Sequence, residues 1–283
     1  MDLRISAVLS NMLATVKQRI GPLLGLFAIF IAINLVLGVV MFGLIGGGAF
    51  MFGQMENPAA MGVGFLLAFI LFYIVYILVS FAMSAALVHH SSPVLTPSFG
   101  ESFAMGFKRL PTLVGLVLLL LVAYFAFVIV GVLVGAVFSQ AGDAGAILAF
   151  VLLGIVGIWL ACRLAIMMPV IVVDGVTNPI TAIRRSWALT RGNALRIFLT
   201  IVVFVLAVLA VLALVVGIFG GSFYGLSGSM DDGAGAGLAV GMIALLVVIY
   251  LAFIALLTIV GNAFVASLHA ALAGPQTVAE TFA

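Results

Sequence analysis

Ser227 sits in "YGLSGSM", where Gly225, Leu226, Ser227 and Gly228 make a form of the G-x-S-G pattern that can carry a serine nucleophile. Such a serine needs a base within about 2.6–3.2 Å. The late histidine, His269, is the one to consider. The two flank the last apolar run, which at about 1.5 Å of rise per residue holds them about a membrane thickness apart. The motif therefore reads as a polar turn. His89 and His90 are adjacent, so they point to different helix faces and make a poor chelate; with no cysteine nearby and only distant Glu101, no metal or cofactor is expected. A wetted helix end is the reading there. Cys162 is the only cysteine, so no internal disulfide can form, and it reads as a small apolar filler beside Arg163.

Anion-binding chemistry has a better claim. "RRSWALTRGN", residues 184–193, gathers three of the ten basic residues and one of the two tryptophans between flanks that are almost entirely apolar. Arg163 stands in an apolar run, and charge in hydrocarbon costs at least ~2.5–3.5 kcal/mol by insertion scales. It can snorkel to the interface, meet a phospholipid headgroup, or pair with Asp174. The last choice needs a bend at Pro169, because eleven residues of straight helix span about 16 Å. Asn34 and Asn262, also in apolar runs, are expected to hydrogen-bond between helices.

The elements that position these residues follow from composition. A chain of 283 residues that is 66% hydrophobic and 6% charged, with mean hydropathy +1.50, cannot wet a globular surface. About 20 apolar residues cross a bilayer, and six stretches qualify: about 22–48, 61–88, 111–138, 145–168, 196–221 and 237–268. The opening run is too long for the core of a cleavable signal peptide and is expected to stay as span one. All ten basic residues lie before span one, between spans two and three, or around the connection from span four to five. The alternate connections carry Glu56, Asp143, Asp231 and Asp232 and neither lysine nor arginine. Lysine and arginine bias in short loops sets orientation, so both termini and the basic connections are expected on the cytoplasmic side of a bacterial inner membrane.

Each pair of spans is preceded by a short amphipathic segment, over 3–20, 98–110 and 179–192. Ile5, Val8, Leu9, Met12, Val16 and Ile20 share the first apolar face; Phe99, Phe103, Phe107 and Leu110 the second; Ile180, Ile183, Trp187 and Thr190 the third. Ser98 followed by Glu101 predicts a capping box, and Gly192 predicts the end of the third helix. One apolar face, basic residues and an aromatic anchor suit helices lying in the membrane interface; a cytoplasmic helix packed on a partner protein is the competing reading. The fold class expected is all-α and polytopic, six transmembrane helices as three parallel repeats of an interfacial helix plus a two-span hairpin. The repeats run 1–90, 91–175 and 176–283. Their ends rhyme, as "ALVHHSSP", "IVVDGVTNP" and "SLHAALAGP".

At "PVIVVDGVTNPITAIRRSWALTRGN" the chain resembles the glycerophosphoryl diester phosphodiesterase membrane-domain family and the related YciC-type inner-membrane proteins. The pattern is carried by Pro169-Val170, Asp174-Gly175, Pro179, Arg185-Ser186-Trp187 and Thr190-Arg191-Gly192. The family name comes from phosphodiesterases that fuse such a region to a soluble catalytic barrel. Here only "GPQTVAETFA" follows the last span, so the resemblance implies a membrane module and not an esterase.

The expectation is therefore a non-enzymatic membrane protein that binds or organises lipids. Lys17, Arg19, Lys108, Arg109, Arg163, Arg184, Arg185, Trp187 and Arg191 are the candidates for headgroup contact, and membrane phospholipids are the partners. Nucleic acid is not expected; an oligomer or protein partner stays open. The alternative is a channel or transporter for an amphipathic or neutral solute along a pseudo-threefold axis. The Ser227–His269 separation leaves almost no room for a rhomboid-like intramembrane serine protease.

Overall fold

The computed structural model describes the backbone of residues 4–52, 58–227 and 234–281 and the side chains of 4–43, 66–217, 241 and 244–274. The acidic connections at Glu56 and Asp231–Asp232, and the side chain of Ser227, lie outside the described residues. Those described form helices only: α1 (Ile5–Phe52), α2 (Pro58–Ser91), α3 (Phe99–Lys108), α4 (Leu110–Ser139), α5 (Asp143–Leu164), α6 (Met167–Val172), α7 (Pro179–Leu189), α8 (Ala194–Ser227) and α9 (Ala234–Thr281). Among the described residues six helical stretches are long and apolar enough to cross a membrane: Ile5–Gly43, Leu66–Ser91, Leu110–Ser139, Asp143–Val172, Ala194–Gly217 and Ala244–Gly274.

Prolines decide where long apolar helices are interrupted. A proline lacks the N–H for the carbonyl four residues earlier and its ring collides with it. Pro22 accounts for the kink at Arg19, where φ is −118° and ψ 18°, and so the first amphipathic segment runs into span one as one bent helix. Pro111 stops α3 from running through into α4, leaving Arg109 as the hinge between them. Pro169 acts in the same way on the fourth span. The bend expected at Pro169 lies one turn earlier, at Ala165 and Ile166, where α5 ends and α6 begins. Between α7 and α8 the break is made by Gly192, whose φ of +80° suits a residue without a side chain.

Buried residues gather at one end of the bundle, the end that holds the basic residues. Leu23, Leu26 and Phe30 of α1, Leu87 of α2, Ile166, Val170 and Ile171 near α6, Ile197 of α8 and Ile259 and Leu268 of α9 are all fully buried. Here α2, α6 and α9 pack against one another pairwise. Away from this end the apolar side chains turn outward, as with Val122, Ile129, Val132 and Leu133 of α4. Hydrocarbon solvates such a surface at no cost.

The short helices are held to this core through their small residues. Ser102 and Gly106 are the buried face of α3, and Ala182 and Ser186, with Thr190 at the cap, are that of α7. The same four-residue step recurs in the first turns of α1, at Val8, Met12 and Val16. Gly106 allows the closest approach: a Cβ there would collide with the Ala82 carbonyl oxygen and lie 3.3 Å from the Ala86 Cβ. The aromatic face expected to enter the membrane rests partly on α1. Phe103 and Phe107 lie 5.3 and 5.7 Å, ring to ring, from Phe30, and the Phe99 ring covers Gly25.

Candidate functional site at the basic end

Local chemistry starts each short helix where the sequence predicts it. Ser98 accepts from the Glu101 N–H while the Glu101 carboxylate accepts from the Ser98 N–H at 2.7 Å, completing the capping box. Those bonds hold the Glu101 carboxyl below the usual range. Asn178 caps α7 by accepting from the Ile180 and Thr181 N–H groups, with Pro179 in the first turn, where its missing N–H costs nothing.

Docking of α7 brings together residues 23–27 positions apart. The Ser186 hydroxyl donates to the Arg163 carbonyl at 2.8 Å. In return Arg163 donates from one terminal nitrogen to the Trp187 carbonyl at 3.2 Å and to Thr190 Oγ1 at 3.4 Å. A cation at these last carbonyls is favoured by the helix dipole. The Arg163 guanidinium carbon lies 5.4 Å from the Trp159 ring centre and 4.8 Å from that of Trp187, and the two indoles meet edge to face at 5.2 Å. Arg163 is thus 8% exposed and enclosed by α5 and α7. It does not reach out past its helix, as snorkelling requires, and it does not pair with Asp174. Its Nε is buried without a partner among the described residues.

Asp174 instead accepts from Arg185 Nε through Oδ2, and its Oδ1 lies 3.2 Å from His269 Nε2. Burial by itself would raise this carboxyl, but hydrogen bonding and charge from His269 and Arg185 outweigh it and hold the carboxyl below the ordinary range. His269 is 1% exposed. Among the described residues its Nδ1 has no hydrogen-bond partner.

Arg19 is a helix clamp. From its two terminal nitrogens it donates to the carbonyls of His90 (2.8 Å), Ser92 (3.3 Å) and Leu95 (2.9 Å), in the last turn of α2 and the turn that follows it. The neighbouring histidines correct the sequence reading: they are buried and not a wetted helix end. His89 Nδ1 and His90 Nδ1 both approach Ser102 Oγ, at 3.2 and 3.0 Å, because α3 folds back over the last turn of α2. Among the described residues no group of three histidine, cysteine, aspartate or glutamate side chains gathers to hold a metal. The Arg109 guanidinium comes against Gly175, where a Cβ would lie 3.3 Å from one terminal nitrogen. Asn34 and Asn262 also differ from expectation. Each donates within its own helix, to the carbonyls of Phe30 and Thr258.

The nine expected contact residues thus divide. Lys17, Lys108, Arg184 and Arg191 are exposed, whereas Arg19, Arg163 and Arg185 are committed to internal partners, Trp187 packs on Trp159, and Arg109 is half-buried against Gly175. The reading from sequence missed Trp159 and Ser102, weighed His269 only as a base for Ser227, and named Ser186 without a contact. Trp159 carried a signal, since it stands four residues before Arg163, the helical spacing at which side chains meet. His269 was marked by the rhyme between "SLHAALAGP" and "VVDGVTNP", which places it at the same kind of span end as its partner Asp174.

The family model for the membrane domain of glycerophosphoryl diester phosphodiesterase matches residues 140–276. No match is found among curated proteins or among solved structures. The matched stretch contains α7, the Arg163–Trp187 contact and the Asp174–Arg185 pair. Over residues 140–276 the chain is similar to the membrane-domain family of the glycerophosphoryl diester phosphodiesterases.

Proposed function

We propose that the chain is a non-enzymatic bacterial inner-membrane protein that binds and organises phospholipids through helices on the cytoplasmic leaflet, arranged as three repeats. The observation that carries this reading is the outer surface of the short helices. Beside four exposed basic residues stand exposed apolar ones: Lys17 with Leu13 and Ile20, Lys108 with Phe107, Arg184 with Ile180, and Arg191 with Leu195. Adjacent charge and hydrocarbon suit the boundary between headgroups and acyl chains. The buried step of four residues, at Val8 and Met12, Ser102 and Gly106, and Ala182 and Ser186, supports the repeat reading. The fully buried apolar side chains where α2, α6 and α9 meet favour lipid handling over a polar channel along a central axis.

Native mass spectrometry of the protein extracted in mild detergent tests this. Retained phospholipid, enriched in anionic species and reduced by charge reversal at Lys17, Lys108, Arg184 and Arg191, is the expected result. Retention with no preference and no response to those changes would refute it. Orientation is tested separately by single cysteines at 108 and 143 in a Cys162→Ser background. An impermeant maleimide should reach the two from opposite sides.

A further inference from the structure

We propose that Arg163, between Trp159 and Trp187, binds the phosphate of one anionic phospholipid, with Arg184 and Arg191 at the rim of the site. This deepens the lipid-binding reading and rests on it. Arg19 spends its donors on three carbonyls and Arg185 meets Asp174. Arg163 has no carboxylate partner among the described residues. One of its terminal nitrogens is held by the end of α7, while Nε is buried and unpartnered. Nε and the second terminal nitrogen form the edge of a guanidinium that takes two oxygens of one phosphate.

The surroundings select a lipid over a free ion. Trp159 stands one turn before Arg163 on a membrane-spanning helix, with 43% of its surface open. An approach to Arg163 past this ring therefore runs along lipid-facing surface, and indoles favour headgroup depth. Charge selects the headgroup. Arg184 lies one turn before Trp187 on the same face of α7, and Arg191 follows in the turn that closes the helix; both are exposed. Arg185 points to the opposite side and occupies Asp174, the acidic residue of this neighbourhood, together with His269. A choline or ethanolamine group would find cations and no free carboxylate here, whereas a headgroup with net negative charge is complemented.

The protein's two tryptophans are both in this site, so intrinsic fluorescence reports on it directly. Purified protein in neutral detergent is titrated with dihexanoyl phosphatidylglycerol, dihexanoyl phosphatidylcholine or inorganic phosphate. A saturable change with phosphatidylglycerol alone is expected, weakened about tenfold or more in Arg163→Gln. No saturable response, an equal response to inorganic phosphate or phosphatidylcholine, or an unchanged affinity in Arg163→Gln would overturn the site. Protection of Cys162 from maleimide shows whether that variant is folded. If it is not, the exposed double variant Arg184→Gln/Arg191→Gln takes its place, and an unchanged affinity there overturns the site equally. Anionic lipid retained in native mass spectra without dependence on these residues removes the site and leaves the broader reading intact.

Discussion

Two glycines on one short helix allow a matched test of how α3 is held. Gly106 faces α2 so closely that an added Cβ would collide with the Ala82 carbonyl oxygen and lie 3.1 Å from the Ala82 carbonyl carbon. These are backbone atoms of a membrane-spanning helix and cannot rotate aside. Gly106→Ala must therefore push α3 outward, at the usual overpacking cost of about 1–3 kcal/mol. The shift also loosens Ser102 from His89 and His90, worth about 1 kcal/mol more. Against this stands the better helix propensity of alanine, about 1 kcal/mol at most. Gly100, in the first turn of the same helix, has nothing within 4 Å of its virtual Cβ. Gly100→Ala keeps the propensity gain, about 0.5–1 kcal/mol, with no steric penalty. The two variants should differ by about 2–4 kcal/mol, with Gly106→Ala the less stable. Cys162, the single cysteine and a buried one, provides the assay, as a fluorogenic maleimide reacts when heating exposes it. A Gly106→Ala melting temperature equal to or above that of Gly100→Ala would refute the close packing of α3 on α2.

Other perturbations separate the internal arginines from the exposed basic residues. Arg19→Met removes the side-chain donor to the carbonyls of His90, Ser92 and Leu95, in and just beyond the last turn of α2, and should cost about 2–3 kcal/mol, against at most about 0.5 for Lys17→Met, by the same melting assay. Asn178→Ala removes the acceptor of two backbone N–H groups and should destabilise α7 by about 0.5–2 kcal/mol, read as faster hydrogen exchange in its first turn. Asp174→Asn bears on pH. The Asp174 carboxyl is held below its unfolded value, so its stabilising contribution is fully present above the ordinary aspartate range and is lost as pH falls through the lowered folded value. Wild type should therefore melt above Asp174→Asn at neutral pH, and the gap should close only in strong acid. A gap independent of pH down to that range would refute the ionised pair.

The membrane character, the number of spans and the two cap signals were legible because each depends on residues adjacent in sequence. Hydrocarbon thickness sets the length of an apolar run, and a capping box closes within one turn around Ser98 and Glu101. Proline breaks were legible too, once the carbonyl four residues back is taken as the point of failure, as at Ala165 ahead of Pro169. Partner choice was not. Arg163 and Asp174 are near in sequence and opposite in charge, yet each found another partner. The break before α6 and the fold-back of α7 bring the Trp187 carbonyl and Arg185 closer than the two are to each other. His89 and His90 differ by one residue, but both reach Ser102, because α3 crosses over the last turn of α2. Hydropathy and charge act along the chain and can be summed there. Which polar group satisfies which is decided by a few ångströms between helices, and only the packed bundle sets those distances.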